Sequence, residues 1–331
     1  MSRRYISALL VALLAVATAC DNESDGPSLL PDLPTPGAGT ITGTVVHYEG
    51  GAPLSGATVL LAGIVARTDA QGRFTLNSVP ESGTASITVT APGYVFRGAP
   101  FVLAPNRDVR IDVLQDTPPF SLEYYRQWVR NGANAVTFTT TRPWTVNPNF
   151  YLRRTMDDGA IVPDSIINEI RRVIAASIPD LSGNRIQMGT FEVGDVARPV
   201  ETGWVNITLS AATPFFGQST VGGNSGTINL RYFAGASNPS TNPRNCSSAE
   251  VATIDHEITH TMGFWHTDQV ETDSFSGPGC PGNNRPDFVR YHSAVMYARP
   301  AGNLDPDVDP PGSAQAQSRA PQPVVQCIWG R

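Results

Sequence analysis

The sequence predicts a multidomain protein: a small all-β sandwich over residues 40–115, followed by an α/β (α+β) domain over residues 116–331. Three observations carry this reading. Short apolar–polar alternations separated by glycine and proline turns fill residues 40–115. Strand-like and helix-like periodicities then follow one another from Ala135 onward. Near the end of that region, His256–His266 holds three of the five histidines at helical spacing. With 331 residues, 40% of them hydrophobic, the chain can build one large core or two modest ones. Only 16% of residues are charged, and the chain carries 30 glycines and 28 prolines, a balance that suits β-rich, loop-rich extracytoplasmic domains.

Residues 1–19 have the parts of an export signal. Arg3 and Arg4 form a positive end, Ile6–Val16 an apolar segment too short for a membrane span, and Ala17-Thr18-Ala19 a small-residue cleavage site. With the next residue, Ala17-Thr18-Ala19-Cys20 resembles a bacterial lipoprotein box. The resemblance implies lipid attachment at Cys20, export to the cell envelope and a membrane partner through that anchor. Without the anchor, the same signal implies secretion. Residues 20–39 are polar, rich in proline and glycine and free of periodicity, the composition of a flexible tether. Net charge is −6, and −8 without Arg3 and Arg4; every basic residue is arginine and no basic patch stands out, which argues against a nucleic-acid partner.

Within 40–115, Phe74 and Leu76 alternate with Arg73 and Thr75, Ile87 and Val89 with Thr88 and Thr90, and Val109, Ile111 and Val113 with Arg110 and Asp112. Gly50-Gly51, Asp69–Gly72 and Pro92-Gly93 mark turns, so the expected arrangement is a small antiparallel sandwich. The strings Gly43–Val46, Pro53–Val59, Thr68–Phe74 and Ala91–Tyr94 resemble the regulatory-like domain of carboxypeptidases, a transthyretin-like fold. That resemblance implies a spacer or accessory module. The segment holds no cluster of His, Asp and Glu, and His47 reads as an ordinary strand residue.

In the second domain, Leu122–Val129 has apolar positions at helical spacing. Val136–Phe138, Trp204–Leu209 and Gly226–Phe233 read as strands. Pro163-Asp164 opens a helix with Ile166, Ile167, Ile170, Val173, Ile174 and Ile178 on one face, expected to stop near Pro179. Ser247-Ser248-Ala249-Glu250 has the spacing of a capping box, and Val251, Ile254, Ile258 and Met262 form the apolar stripe of the helix it opens.

His256 and His260 lie roughly 200° around the helix from that stripe and one turn apart, so their imidazoles reach one ion together. Gly263 ends the helix in a backbone conformation open to glycine, and the chain then brings His266 to the same ion. Three imidazoles leave one position for water, the mark of a catalytic zinc rather than a structural one. Glu257, beside the first ligand, is the expected general base for that water. By the chain's own residue frequencies, the pattern arises by accident with a probability on the order of 10⁻⁵ or less, which sets chance aside.

His256-Glu257-x-x-His260-x-x-Gly263-x-x-His266 resembles the metzincin zinc-binding signature. The resemblance implies a zinc endopeptidase holding one catalytic Zn²⁺ and acting on protein or peptide substrates. Ser293–Tyr297 resembles the Met-turn of that family, which implies an apolar floor at Met296. Gly226–Phe233 lies where the family places the edge strand that pairs with substrate. Thr267 after the third histidine departs from the serine of the nearest branch, the matrixins. Tyr297 follows Met296 directly, a spacing that makes it pocket wall rather than an aid to the metal, and His292 reads as structural. Asp305, Asp307 and Asp309 have the charge for calcium, but their prolines and lack of a binding-loop signature point to a solvated loop. Once Cys20 is lipidated, Cys246, Cys280 and Cys327 remain: one disulfide and a spare thiol is the simplest count, with all three pairings open.

The expected function is therefore peptide-bond hydrolysis at the cell envelope. The alternative is a zinc-containing binding or adhesion lipoprotein without turnover.

Overall fold

Seven strands build the first domain: β1 (Gly39–His47), β2 (Thr58–Leu61), β3 (Ile64–Arg67), β4 (Arg73–Val79), β5 (Thr84–Thr90), β6 (Arg97–Val102) and β7 (Arg107–Val113). The computed structural model describes residues 39–135, 137–214, 216–232, 249–268, 285–313 and 326–329. The export signal, the tether with Cys20, the helix cap at Ser247, and Cys246 and Cys280 lie outside the described residues. Among the described residues, no helix is long and apolar enough to cross a membrane.

The seven strands form two sheets, ordered β4-β1-β7 and β3-β2-β5-β6. The alternation in the sequence becomes the core: Phe74, Leu76, Ile87, Val89 and Val113 are buried with Ile41, Val45, Val59 and Leu61, while their polar neighbours face outward. One pairing differs from an all-antiparallel sandwich, because β1 runs parallel to β7. The turn before β4 is held by Asp69, whose carboxylate accepts from the backbone N–H groups of Gln71 and Arg73. Gly72 completes it at φ 71°, where a Cβ would come within 2.5 Å of the Val45 carbonyl.

The second domain contains α1 (Leu122–Arg130), β8 (Asn149–Arg153), α2 (Asp164–Ser182), β9 (Phe191–Gly194), β10 (Trp204–Ser210), β11 (Gly217–Thr220), β12 (Gly226–Arg231), α3 (Ala249–Thr261), α4 (Asp287–Ala298) and β13 (Gln326–Trp329). Its six-stranded sheet has the order β13-β11-β12-β10-β8-β9. Strands β8, β9, β10 and β12 are mutually parallel, and β11 runs antiparallel to both of its neighbours. Helix α2 packs against α3 and α4, and its stripe of Ile167, Ile170, Val173, Ile174 and Ile178 is buried.

Several expectations change here. Gly226–Phe233 is not an edge strand: β12 is flanked by β10 and β11, because β11 folds back beside it. Thr137 and Phe138 lie outside any strand, and Phe138 is exposed beneath the guanidinium of Arg126. Helix α2 runs past Pro179 to Ser182, and the extra turn buries Leu181, which offsets the hydrogen bond lost at the proline. Gly183, at φ 59°, then donates its N–H to the Pro179 carbonyl and closes the helix.

The aspartate-rich loop is no solvated excursion. Asp307 is buried between Arg299, whose Nε lies 2.9 Å away, and Asn303, at 3.0 Å. Asp309 pairs with Arg97 of β6 at 2.6 Å, and Arg299 pairs with Asp112 of β7 at 2.6 Å. Backbone bonds join the same surfaces, from Gly98 N–H to the Asp307 carbonyl and from Asp309 N–H to the Gly98 carbonyl. Arginine guanidiniums pair with these carboxylates and tie the loop to the sandwich.

His292 holds α4 to α1. Its Nδ1 donates to the Phe288 carbonyl at 2.7 Å, and its Nε2 accepts from the Ser121 N–H at 2.9 Å. The ring stacks on Phe120 and meets Tyr124, Phe288 and Tyr291. Burial lowers its pKa to about 4, because a proton on Nε2 would face a donor in an apolar cage. In the unfolded chain the ring titrates near its ordinary value of about 6.5. Between those values the unfolded state binds the extra proton, so stability falls as pH drops from about 6.5 toward 4, by up to roughly 3 kcal/mol. Urea denaturation across that window should show this acid loss shrinking in His292→Gln; equal losses in both proteins would refute the assignment.

Candidate metal centre

Helix α3 presents two faces. Ile254, Ile258 and Met262 are wholly buried in the main core and supply the stripe that anchors the helix. His256 and His260 project elsewhere, yet each is only 1% exposed, because α3 is enclosed by α2 on one side and by β11 and β12 on the other. The sequence reading turned these imidazoles away from the core; the fold also turns them away from solvent.

At the end of α3, Gly263 has φ 103°, and a Cβ there would lie 2.6 Å from the Arg142 carbonyl. Only glycine makes this turn without strain. The next two residues are fastened to α1, as Phe264 stacks on Trp128 at 4.9 Å and the Trp265 N–H donates to the Trp128 carbonyl. His266 is thereby delivered to the other two imidazoles. The three Nε2 atoms form a nearly equilateral triangle with sides of 3.0, 3.0 and 3.1 Å. This is the one group of three His, Cys, Asp or Glu side chains among the described residues placed to hold a metal ion.

The donor set fits zinc. Zinc–nitrogen bonds of about 2.0–2.1 Å in tetrahedral geometry space ligand nitrogens roughly 3.3 Å apart, within a few tenths of an ångström of the observed triangle. Nδ1 of His260 donates to the Phe264 carbonyl at 2.8 Å, which leaves the lone pair on its Nε2. Burial lowers the His260 pKa to about 3, with the His266 charge adding to the effect, so the ring is neutral as a ligand must be. One proton among three converging nitrogens serves a single pair, whereas a cation serves all three.

Glu257 is the second anomaly. It is wholly buried, and among the described residues neither carboxylate oxygen has a hydrogen-bond partner of ordinary geometry. Burial raises its pKa to about 8, with the nearby Ser219 hydroxyl opposing the shift. Its carboxylate lies against the α-carbon of Gly217 on β11, where a Cβ would come within 2.3 Å of Oε1. Ser219 of the same strand donates its hydroxyl to the Glu257 backbone carbonyl at 3.0 Å. A buried carboxylate with no hydrogen-bond partner among the described residues is costly unless a positive charge or a reacting proton is supplied there.

Met296 is buried, with its methyl 3.4 Å from the Cβ position of Gly263, so it lies next to the turn between His260 and His266. Its local structure differs from the expected turn: Ser293–Tyr297 is helical, within the last turns of α4, and the chain bends only after Arg299. Tyr297 is no pocket wall. Its hydroxyl donates to the Met262 carbonyl at 2.8 Å, and burial raises its pKa, so it ties α4 to the end of α3.

Asp255, one residue before the first histidine, was missed in the sequence. It is buried and accepts from Ser177 of α2 and from Arg285 at 2.6 Å, and Arg285 also reaches Asp180 of α2 at 3.0 Å. This network sets α3 against α2 and hence the height of His256. A charged residue inside an otherwise apolar helix face was the available signal, but its partners lie 30 and 78 residues away.

The comparisons with known proteins bear on the first domain. Residues 40–114 match the carboxypeptidase regulatory-like domain. The regulatory-like domain is thus an all-β sandwich, and none of the three histidines falls in it. No curated protein matches the chain. Among solved structures, a mutant type II cohesin–X-dockerin complex from Acetivibrio cellulolyticus is 24% identical over 23% of this chain, with a TM-score of 0.20. The Bacillus anthracis TIE protein is 16% identical over 23% of the chain, also with a TM-score of 0.20. A DUF3823 family protein from Parabacteroides merdae is 13% identical over 23%, with a TM-score of 0.17. The chain spans 58%, 16% and 45% of those three chains, and at these scores they carry no argument about it.

Proposed function

We propose that the chain is a zinc-dependent endopeptidase of metzincin type, with His256, His260 and His266 as ligands and Glu257 as general base. The observation that carries the proposal is the triangle of three Nε2 atoms, with a buried carboxylate on the residue that follows the first ligand and no hydrogen-bond partner for its oxygens among the described residues. Bound zinc would lower the pKa of water toward about 7 and polarise a peptide carbonyl. Glu257 takes the proton of the attacking water and returns it to the leaving amine, one group acting first as base and then as acid. Among the described residues no hydrogen bond of ordinary geometry holds its oxygens, and the ionised form persists in so dry a place only next to a positive charge. The Gly263 turn sets the approach of His266, and Met296 supplies an apolar floor beside that turn.

The experiment compares zinc-loaded wild type with Glu257→Gln on a peptide library, with zinc content measured in both. Cleavage by wild type alone supports the proposal. Folded, zinc-loaded protein that cuts nothing, both at full length and without Gln326–Arg331, overturns it in favour of a binding protein.

The proposed setting is the bacterial cell envelope, with Cys20 lipidated and the regulatory-like domain as a spacer that carries the second domain. Cys20→Ser should move the protein from the membrane fraction to the soluble fraction without altering its zinc content. Equal partitioning of both forms would refute the anchor.

A further inference from the structure

Strand β11 offers its backbone in two directions. The Arg231 N–H donates to the Phe216 carbonyl, so Phe216, Gln218 and Thr220 direct their backbone groups toward β12. Gly217 and Ser219 therefore direct theirs to the opposite side, away from the body of the sheet. Gly217 is also the residue whose α-carbon touches the Glu257 carboxylate. The ladder edge nearest the candidate catalytic group thus belongs to Gly217 and Ser219. That edge is taken by the chain itself: β13 pairs antiparallel with β11, Gly217 opposite Trp329 and Ser219 opposite Cys327.

We propose that Gln326–Trp329 is a self-inhibitory strand, filling the sheet edge on which an extended peptide must pair to reach Glu257. The proposal rests on the endopeptidase reading. An extended peptide joins a sheet through the N–H and C=O groups of an unpaired edge, and a strand already there blocks a second one. The burial of Glu257, His256 and His260 accords with a closed site. The device needs no cleavage of the chain, because release of one short strand exposes the ladder. It also identifies the kind of ligand the edge prefers: an extended segment running antiparallel to β11.

The test uses three zinc-loaded proteins: the full chain, a chain ending at Val325, and full-length Trp329→Pro, which removes the N–H facing Gly217. The probe is a peptide hydroxamate, which chelates zinc through its head and pairs with a sheet edge through its backbone. Its Kd should fall about tenfold or more in the shortened chain and in Trp329→Pro, equivalent to about 1.4 kcal/mol or more. Amide exchange at Gly217 and Ser219 should be slow in the full chain and fast in the other two. A synthetic Val324–Arg331 peptide should compete with the hydroxamate for the shortened chain. Equal hydroxamate affinity in three proteins that all bind it would overturn self-inhibition and leave the endopeptidase reading standing. No hydroxamate binding by any of the three would overturn both readings, while amide exchange would still report whether the strand is paired.

Discussion

Glu257→Gln is expected to lower kcat/KM for peptide hydrolysis by roughly 10²–10⁴-fold, the range for loss of a positioned general base, with zinc content unchanged. Glutamine keeps the shape that packs on Gly217 but accepts no proton. Because Glu257 ligates nothing in this scheme, the three imidazoles keep the ion. A second outcome goes with the first. The carboxylate is buried with no hydrogen-bond partner among the described residues, so a neutral amide in its place should leave the protein at least as stable as wild type. A variant that keeps more than a tenth of wild-type turnover would remove Glu257 from the mechanism. One that loses its zinc would make Glu257 part of the metal site instead.

Arg285→Ala is expected to destabilise the protein by about 3–5 kcal/mol, because it leaves Asp255 as a buried charge without its cation. Arg285 bridges two helices, pairing with Asp255 of α3 at 2.6 Å and with Asp180 of α2 at 3.0 Å. Asp180 keeps Arg290 at 2.9 Å, whereas among the described residues the Asp255 carboxylate keeps the hydroxyl of Ser177 alone. The deficit therefore falls on Asp255. Removing that charge as well should recover stability, so the Arg285→Ala, Asp255→Asn double variant should be more stable than Arg285→Ala alone. Arg285→Lys should recover little, since one ammonium cannot present the fork that meets both carboxylates. Urea denaturation of the full chain reads all three. A loss below about 1 kcal/mol for Arg285→Ala would show that the network does not hold α3.

Much of the candidate site was legible in the sequence because its parts are local. The spacing of His256 and His260 needs only the pitch of a helix. The stripe of Ile254, Ile258 and Met262 orients that helix, and Gly263 marks its end. In the sandwich, a two-residue period distinguishes inner from outer positions before any strand is paired. What escaped depends on distant partners. Strand β8 was not recognised, since Asn149–Arg153 carries neither an alternation nor a flanking glycine turn. Asp255 looked like one more polar residue until α2 and Arg285 closed around it. The aspartates at 305–309 read as solvated because the arginines that bury them include one on a strand more than 200 residues earlier.

Local spacing names the residues that can meet a metal ion: helical pitch puts His256 and His260 on a common side, and one glycine frees the chain to turn His266 toward them. Packing between distant segments buries Glu257, fastens the turn that delivers His266, places β12 inside the sheet, and covers the ladder edge of β11 with Gln326–Trp329. The physical reason is range. Side-chain direction along one helix follows from bonds between near neighbours, whereas burial and strand order arise only when segments far apart in the chain compete for the same hydrogen bonds and the same space.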